Sequence, residues 1–307
     1  MNLKDYARKE PRLSPGHRLC AGCAASTVAR LIMSASENPA VVGCATGCLE
    51  VSTTIYPYTS WKDSFIHNAF ENVAATISGV EAAYRSFRRQ GKLDEDFDFI
   101  AFGGDGGTYD IGFQSLSGAI ERGHDMVYVC YDNGAYMNTG IQRSSATPKG
   151  ASTTTSPAGN EIPGKEQKRK EITDIVAAHG IEYAAQTAPW RPQDIIKKAE
   201  KAFAVQGPAF LNVLAPCPRG WRSENDKSIE ISRVAADTCF WPLFEVEEGE
   251  WKLNYQPREK KPVTDWLEMQ GRFDHLFQDE NEHLLEDIQE QVDERWQMIK
   301  NRCGVEE

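Results

Sequence analysis

The sequence predicts an α/β domain on a mostly parallel sheet with helices on both faces, followed by an irregular C-terminal tail that ends in a helix. Three observations carry this. Strand-length apolar runs alternate with helix-length runs between residues 24 and 214, the order that gives a parallel sheet covered on both faces. Residues 97–131 read strand, helix, strand, a βαβ unit whose crossover is right-handed. One strand of that unit runs into Gly103-Gly104-Asp105-Gly106-Gly107, a ligand-type loop at the strand's carboxyl end.

Taken in order, residues 1–18 are polar and interrupted by proline, an arm expected to lie on a partner or neighbouring subunit. Residues 19–23 hold Cys20-x-x-Cys23, and 24–35 have helical composition. Residues 40–44 form a short buried strand, and 45–48 a tight turn. Residues 53–64 are aromatic and irregular and are assigned to a loop. Residues 67–89 are the clearest helix, with Phe70, Val73, Ala74, Ile77, Val80, Glu81 and Tyr84 at three- and four-residue steps. Arg88, Arg89 and Gln90-Gly91 end it. Strand 97–102, helix 110–122 and strand 126–131 follow. Residues 133–163, rich in Thr, Ser, Gly and Pro, make a loop long enough to be functional or disordered. Helix 171–179, strand 181–185, helix 192–205 and strand 208–214 complete the alternation. After Cys217-Pro218 the pattern dissolves, and 281–301 form an acidic terminal helix. The expected divisions are an arm (1–18), one α/β domain (19–221) and an extension for subunit contacts (222–307).

The 307 residues give ample core. No apolar run is long enough to span a bilayer, and residues 1–15 lack the apolar core of a signal peptide. The expected location is cytoplasmic, with no membrane partner. A net charge of −11 argues against nucleic acid. Eight cysteines in such a chain point to metal or redox use rather than a disulfide framework.

At the glycine-rich loop, backbone N–H groups can approach an anion closely, and the following helix aims its positive end there. A diphosphate fits. Asp105 makes sense among phosphates if a divalent cation lies between them; Mg²⁺ is held by one or two protein oxygens plus phosphates and waters. Asn133, ending the next strand, offers a second oxygen, and the Ala135 carbonyl a third. A tight turn with an aspartate cap is the plainer reading of Gly-Asp-Gly alone. Neither the GxGxxG spacing nor a Walker Gly-Lys-Ser/Thr is present.

Cys48 follows in Gly47-Cys48-Leu49-Glu50, and Cys217 stands in Pro216-Cys217-Pro218, where the proline is familiar from ferredoxins. Cys20, Cys23, Cys48 and Cys217 suit one 4Fe–4S cluster, and by spacing alone a structural zinc site as well. Cys44 and Cys130 lie in buried-strand runs and are assigned to the core; Cys239 and Cys303 are read as tail thiols. His67 is weighed as a base against a capping or packing role, and Glu50 as a cofactor contact against a pairing role. Trp61 and Tyr58 are read as core or interface aromatics, and 165–170 as a short basic run too isolated for a nucleic-acid patch.

Gly104-Asp105-Gly106 followed by Asn133, one helix and one strand later, resembles the diphosphate motif of thiamine-diphosphate enzymes. Tyr136-Met137-Asn138-Thr139-Gly140-Ile141-Gln142-Arg143-Ser144-Ser145-Ala146-Thr147-Pro148 narrows this. Residues 20–221 resemble the beta subunit of the pyruvate type within the 2-oxoacid:ferredoxin oxidoreductase family. The resemblance implies the thiamine-diphosphate-binding fold. It implies thiamine diphosphate against Cys48, Gly104, Asp105, Gly106, Gly107, Asn133, Tyr136, Asn138 and Thr139, with Asn138 as the catalytic residue nearest the reactive ring. It also implies Mg²⁺ at Asp105, Asn133 and the Ala135 carbonyl, and the cluster on the four cysteines. The implied reaction is oxidative decarboxylation of pyruvate with coenzyme A, the electrons leaving through the cluster to ferredoxin.

One α/β domain and one diphosphate motif make half an active site. An alpha subunit is expected to carry the pyrimidine-binding domain, and a ferredoxin-like subunit or domain the further 4Fe–4S clusters. Ser60-Trp61-Lys62-Asp63-Ser64 and Cys23-Ala24-Ala25 depart from the pyruvate pattern. A more polar pocket there would suit oxalate, whose oxidoreductase belongs to the same family and needs no coenzyme A. A non-redox thiamine decarboxylase shares the diphosphate motif but has no use for the four cysteines.

Overall fold

The computed structural model describes residues 3–159 and 161–305. Its strands are β1 (Ala40–Ala45), β2 (Ser64–Asn68), β3 (Asp98–Gly104), β4 (Met126–Asp132), β5 (Tyr183–Thr187), β6 (Pro208–Leu214), β7 (Phe244–Glu247) and β8 (Glu250–Leu253). They form one sheet in the order β2-β1-β3-β4-β6-β5-β7-β8. β1 to β6 pair in parallel, and β7 and β8 add an antiparallel hairpin beside β5. On one face Val28 and Ile32 of helix Ala24–Ala35 pack with Ile195 and Ala199 of helix Pro192–Ala204. On the other, Val73 and Ile77 of helix Val73–Arg89 pack with Leu116 of helix Phe113–Glu121. Helices on both faces bury the central strands, as expected for a parallel sheet.

The chain leaves β1 for β2 on one side and returns to β3 on the other. That reversal opens a crevice at the carboxyl ends of β1 and β3, where open α/β sheets bind ligands.

Three expectations need correcting. The helix predicted from residue 67 begins at Val73, after an Asn72 cap. Residues 64–68 are instead β2, in register with β1 from Val41↔Ser64 to Ala45↔Asn68. Ladder hydrogen bonds to β1 outweigh the local helical spacing there. The helix predicted from 110 begins earlier, as a π-helix over Gly106–Ile111 whose wide turn is closed by Gly112 N–H donating to the Gly107 carbonyl at 2.8 Å. A Cβ at Gly112 would stand 2.2 Å from that carbonyl, so only glycine fits. Third, the arm lies on its own body: Tyr6 hydrogen-bonds Glu200, Arg12 pairs with Asp63, and Leu13 bridges to Trp61.

The sequence after Cys217 lacks α/β alternation because most of its elements before the terminal helix are short. Helices Pro218–Trp221, Ser228–Asp237 and Thr264–Leu267, the hairpin and helix Glu282–Arg302 enclose a third core built on Trp221, Trp241 and Trp266.

Candidate active site

The crevice is a pocket lined by Thr46, Gly47 and Cys48 after β1, by Gly104 at the end of β3 with Gly106 and Gly107 beyond it, and by Tyr131 of β4 with Asn133 and residues 135–139 beyond it. Of the residues the sequence singles out for the cofactor, Cys48, Gly104, Gly106, Gly107, Asn133, Tyr136, Asn138 and Thr139 line it together. Asp105 lies beneath it, fully buried. Asn138 and Thr139 stand exposed at its rim. Tyr136 closes one side by donating its hydroxyl to the Gly106 carbonyl at 2.9 Å; a Cβ on Gly106 would sit 2.3 Å from the Tyr136 ring. The Tyr131 hydroxyl, at the wall between Gly47 and Gly104, has no hydrogen-bond partner among the described residues.

Asp105 Oδ1 accepts from the Asn133 backbone N–H at 3.2 Å, and Oδ2 from the Ser144 hydroxyl at 2.5 Å. Burial first, and then the nearby Asp132, push its carboxyl up to about 8. The end of the Asn133 side chain lies 3.0 Å from Asp105 Oδ1 and 2.8 Å from the Ala135 carbonyl oxygen. With its nitrogen turned inward, the amide donates to both. With its oxygen turned inward, three oxygens converge and a cation must lie among them. Three oxygens, one of them from a buried carboxylate without a cation partner, are a donor set that fits Mg²⁺.

The four predicted cysteines gather at one corner. Cys23 caps helix Ala24–Ala35, and the Ala24 N–H donates to the Pro216 carbonyl at 3.3 Å, which ties it to the Cys217 turn. Cys48 opens a short helix after β1. Cys217 Sγ accepts from the Gly220 N–H at 3.4 Å. Cys20 is exposed; Cys23, Cys48 and Cys217 are half-buried. Burial, and then neighbouring thiolates, push Cys23 up to about 11 and Cys48 up to about 12. A group that takes all four as thiolates removes that repulsion, so the set fits an iron–sulfur cluster. Among the described residues no three His, Cys, Asp or Glu side chains are close enough together to hold a single metal ion. Cys44 and Cys130 are buried in β1 and β4, as expected.

Several contributors escaped the sequence reading. Asp132 accepts from Tyr109 at 2.5 Å, Arg169 at 2.8 Å and the Gly134 N–H at 3.0 Å, fixing the turn that carries Asn133. Two members of the 165–170 basic run turn inward. Lys165 is buried and donates to the Ser145 and Thr147 carbonyls, while Arg169 reaches Asp132. These contacts order the long loop. Trp221 joins the two halves of the site by donating its indole N–H to the Asn133 carbonyl at 2.6 Å.

Residues 42–213 match the family model of the thiamine pyrophosphate enzyme C-terminal TPP-binding domain. The chain is 51% identical to pyruvate synthase subunit PorB of Thermotoga maritima, over 96% of this chain and 93% of that one. It is 50% identical to the PorB of Methanocaldococcus jannaschii, over 95% and 97%.

The chain belongs to the beta subunits of the 2-oxoacid:ferredoxin oxidoreductases.

This beta subunit is also 42% identical to ketoisovalerate oxidoreductase subunit VorB of Pyrococcus furiosus, over 96% of its own length and 94% of that relative's. Its fold is shared with the 2-oxoglutarate:ferredoxin oxidoreductase of Magnetococcus marinus, at TM-score 0.55 and 20% identity over 76% of this chain and 80% of that one. Residues 60–64, which suggested a more polar pocket, lie outside the crevice. Asp63 pairs with Arg12 and accepts from the Ala40 N–H, and Trp61 donates its indole N–H to Thr53. His67 pairs with Glu50 at 2.7 Å, a pairing role for both.

Proposed function

We propose that this beta subunit contributes the diphosphate-holding half of a shared redox site acting on pyruvate, with coenzyme A as acyl acceptor. Asp105, Asn133 and the Ala135 carbonyl hold Mg²⁺, and Gly104, Gly106, Gly107, Tyr136, Asn138 and Thr139 surround thiamine diphosphate. Cys20, Cys23, Cys48 and Cys217 hold a 4Fe–4S cluster, whose cube spaces its sulfur ligands more widely than a single ion does. Thiamine diphosphate supplies the electron sink for decarboxylation, and the cluster supplies one-electron steps.

The chain's own residues do the positioning. Ser144 and the Asn133 N–H donate to Asp105 and offset part of the upward push of its burial. Tyr136 fixes the glycine turn, Asn138 meets the substrate side at the rim, and Cys48 lies on the wall common to both cofactors. The single observation carrying the reading is the convergence of a buried carboxylate, an amide and a carbonyl at one wall of a pocket whose other wall bears Cys48.

An alpha subunit supplies the pyrimidine-binding domain, a ferredoxin-like subunit or domain carries further clusters outward to ferredoxin, and the complex works in the cytoplasm. Pyruvate is favoured over oxalate because the residues that suggested oxalate do not line the pocket. Anaerobic purification of the assembled complex, with iron and thiamine analysis, tests the cofactors. Turnover of pyruvate, 2-oxoisovalerate, 2-oxoglutarate and oxalate with a dye acceptor tests the reaction. Pyruvate turnover dependent on coenzyme A is expected. Turnover of none, or a chain with zinc and no iron, refutes the reading.

A further inference from the structure

Arg272 is a buried cation without a charged partner in contact. It is 2% exposed. Nε and Nη2 donate to the neutral Gln270 Oε1 at 3.0 and 2.8 Å, and Nη1 has no hydrogen-bond partner among the described residues. Taking a charge out of water costs several kcal/mol unless something opposite compensates it. Arg169 has Asp132 and buried Lys198 has Asp194 at 2.9 Å, whereas buried Lys165, like Arg272, meets only neutral oxygens.

The position of Arg272 shows which charges it can face. Its guanidinium stacks 4.3 Å from the ring centroid of Trp221. Trp221 stands one turn after Cys217, its backbone N–H donating to the Cys217 carbonyl at 2.8 Å. On the other side, a Cβ on Gly134 would lie 3.1 Å from Nη1. Arg272 thus lies between the Cys217 turn and the Asn133 turn. Burial draws its pKa down to about 9, and the Cys217 thiolate is the foremost charge opposing that fall. It remains a cation at neutral pH.

We propose that Arg272 is a positioning residue that fixes a positive charge beside the iron–sulfur cluster at Cys217 and raises that cluster's reduction potential. The inference rests on Cys20, Cys23, Cys48 and Cys217 being the cluster ligands. In each step the substrate-derived donor loses one electron and the cluster gains it. The added negative charge meets a guanidinium that stays protonated in both states, so no proton moves at Arg272. A nearby fixed cation favours the more negative state, and charge and hydrogen bonding around a cluster are what set its potential.

The test compares the parent assembled complex with Arg272→Lys and Arg272→Gln. Iron content and visible absorption are measured first, then a redox titration followed by electron paramagnetic resonance. The signal of this cluster is identified by its loss in Cys217→Ser. Arg272→Gln is expected to titrate at a more negative potential and Arg272→Lys close to the parent, with thiamine diphosphate affinity unchanged in both. A parent without iron refutes the cluster reading itself. A parent with a cluster, and a Gln variant at the parent potential, overturns only the inference about Arg272, as does a Lys variant displaced as far as Gln. Should Arg272→Gln fail to fold, Arg272→Lys decides: the parent potential supports the inference, and a displaced one overturns it.

Discussion

Two buried carboxylates stand on either side of the Asn133 turn and are treated differently. Asp132 is sealed behind the turn, with Arg169, Tyr109 and the Gly134 N–H satisfying it. Asp105 lies beneath the crevice with a hydroxyl and a backbone N–H but no cation, and burial drives its carboxyl upward. Asp132 is completed by its own chain. On the proposed reading, Asp105 is completed by what binds. If that reading holds, a carboxylate left short of positive charge beneath a pocket marks where an external cation belongs, whereas an equally buried but fully paired one marks scaffolding.

The sharpest way to break this contrast is Asp105→Ala. Loss of a buried charge from a cation site costs about 3–5 kcal/mol, so thiamine diphosphate–Mg²⁺ affinity in the assembled complex should fall a hundredfold or more by calorimetric titration. Unchanged affinity would remove Asp105 from the site. For the scaffold carboxylate, Asp132→Ala strands Arg169, and the chemical-denaturation midpoint should report a loss of about 3–5 kcal/mol in the cofactor-free protein. Ser144→Ala removes the hydroxyl that supports Asp105 and also accepts from the Ala146 N–H, and should weaken Mg²⁺ about 10–100-fold.

The smallest effect comes from a third buried carboxylate. Burial pulls Glu245 upward, but hydrogen bonds from Tyr183, Lys201 and Asn254 outweigh it and hold the carboxyl at about 2, against 4.5 ordinarily. A depressed carboxyl gives its stabilisation above the unfolded value and loses it on acidification. Thermal unfolding of the parent should therefore weaken between pH 4.5 and 2, and Glu245→Gln should show a flatter slope there.

Legibility in the sequence followed the reach of each interaction. The α/β alternation, the helix Ala24–Ala35 and the strand Pro208–Leu214 rest on local pattern and were readable to the residue. Gly104, Asp105 and Asn133 were readable because one βαβ unit fixes how loop and strand end meet. β2 was hidden, since Ser64–Asn68 becomes a strand only by pairing with β1. The Asp132–Arg169 pair spans 37 residues and a loop with no periodicity, so nothing local announces it. Arg272 was hidden more deeply, in a tail whose packing depends on three tryptophans far apart in the chain.

The β7–β8 hairpin has a bearing on solubility during synthesis. A parallel sheet that stopped at β5 would offer a bare ladder edge to any other extended chain. The hairpin covers that edge with two four-residue strands carrying Glu247, Glu250 and Lys252, and Arg302 of the terminal helix stacks over Trp251. A chain waiting for its partner subunits therefore presents a short, charged border there, a poor template for stray β-strands.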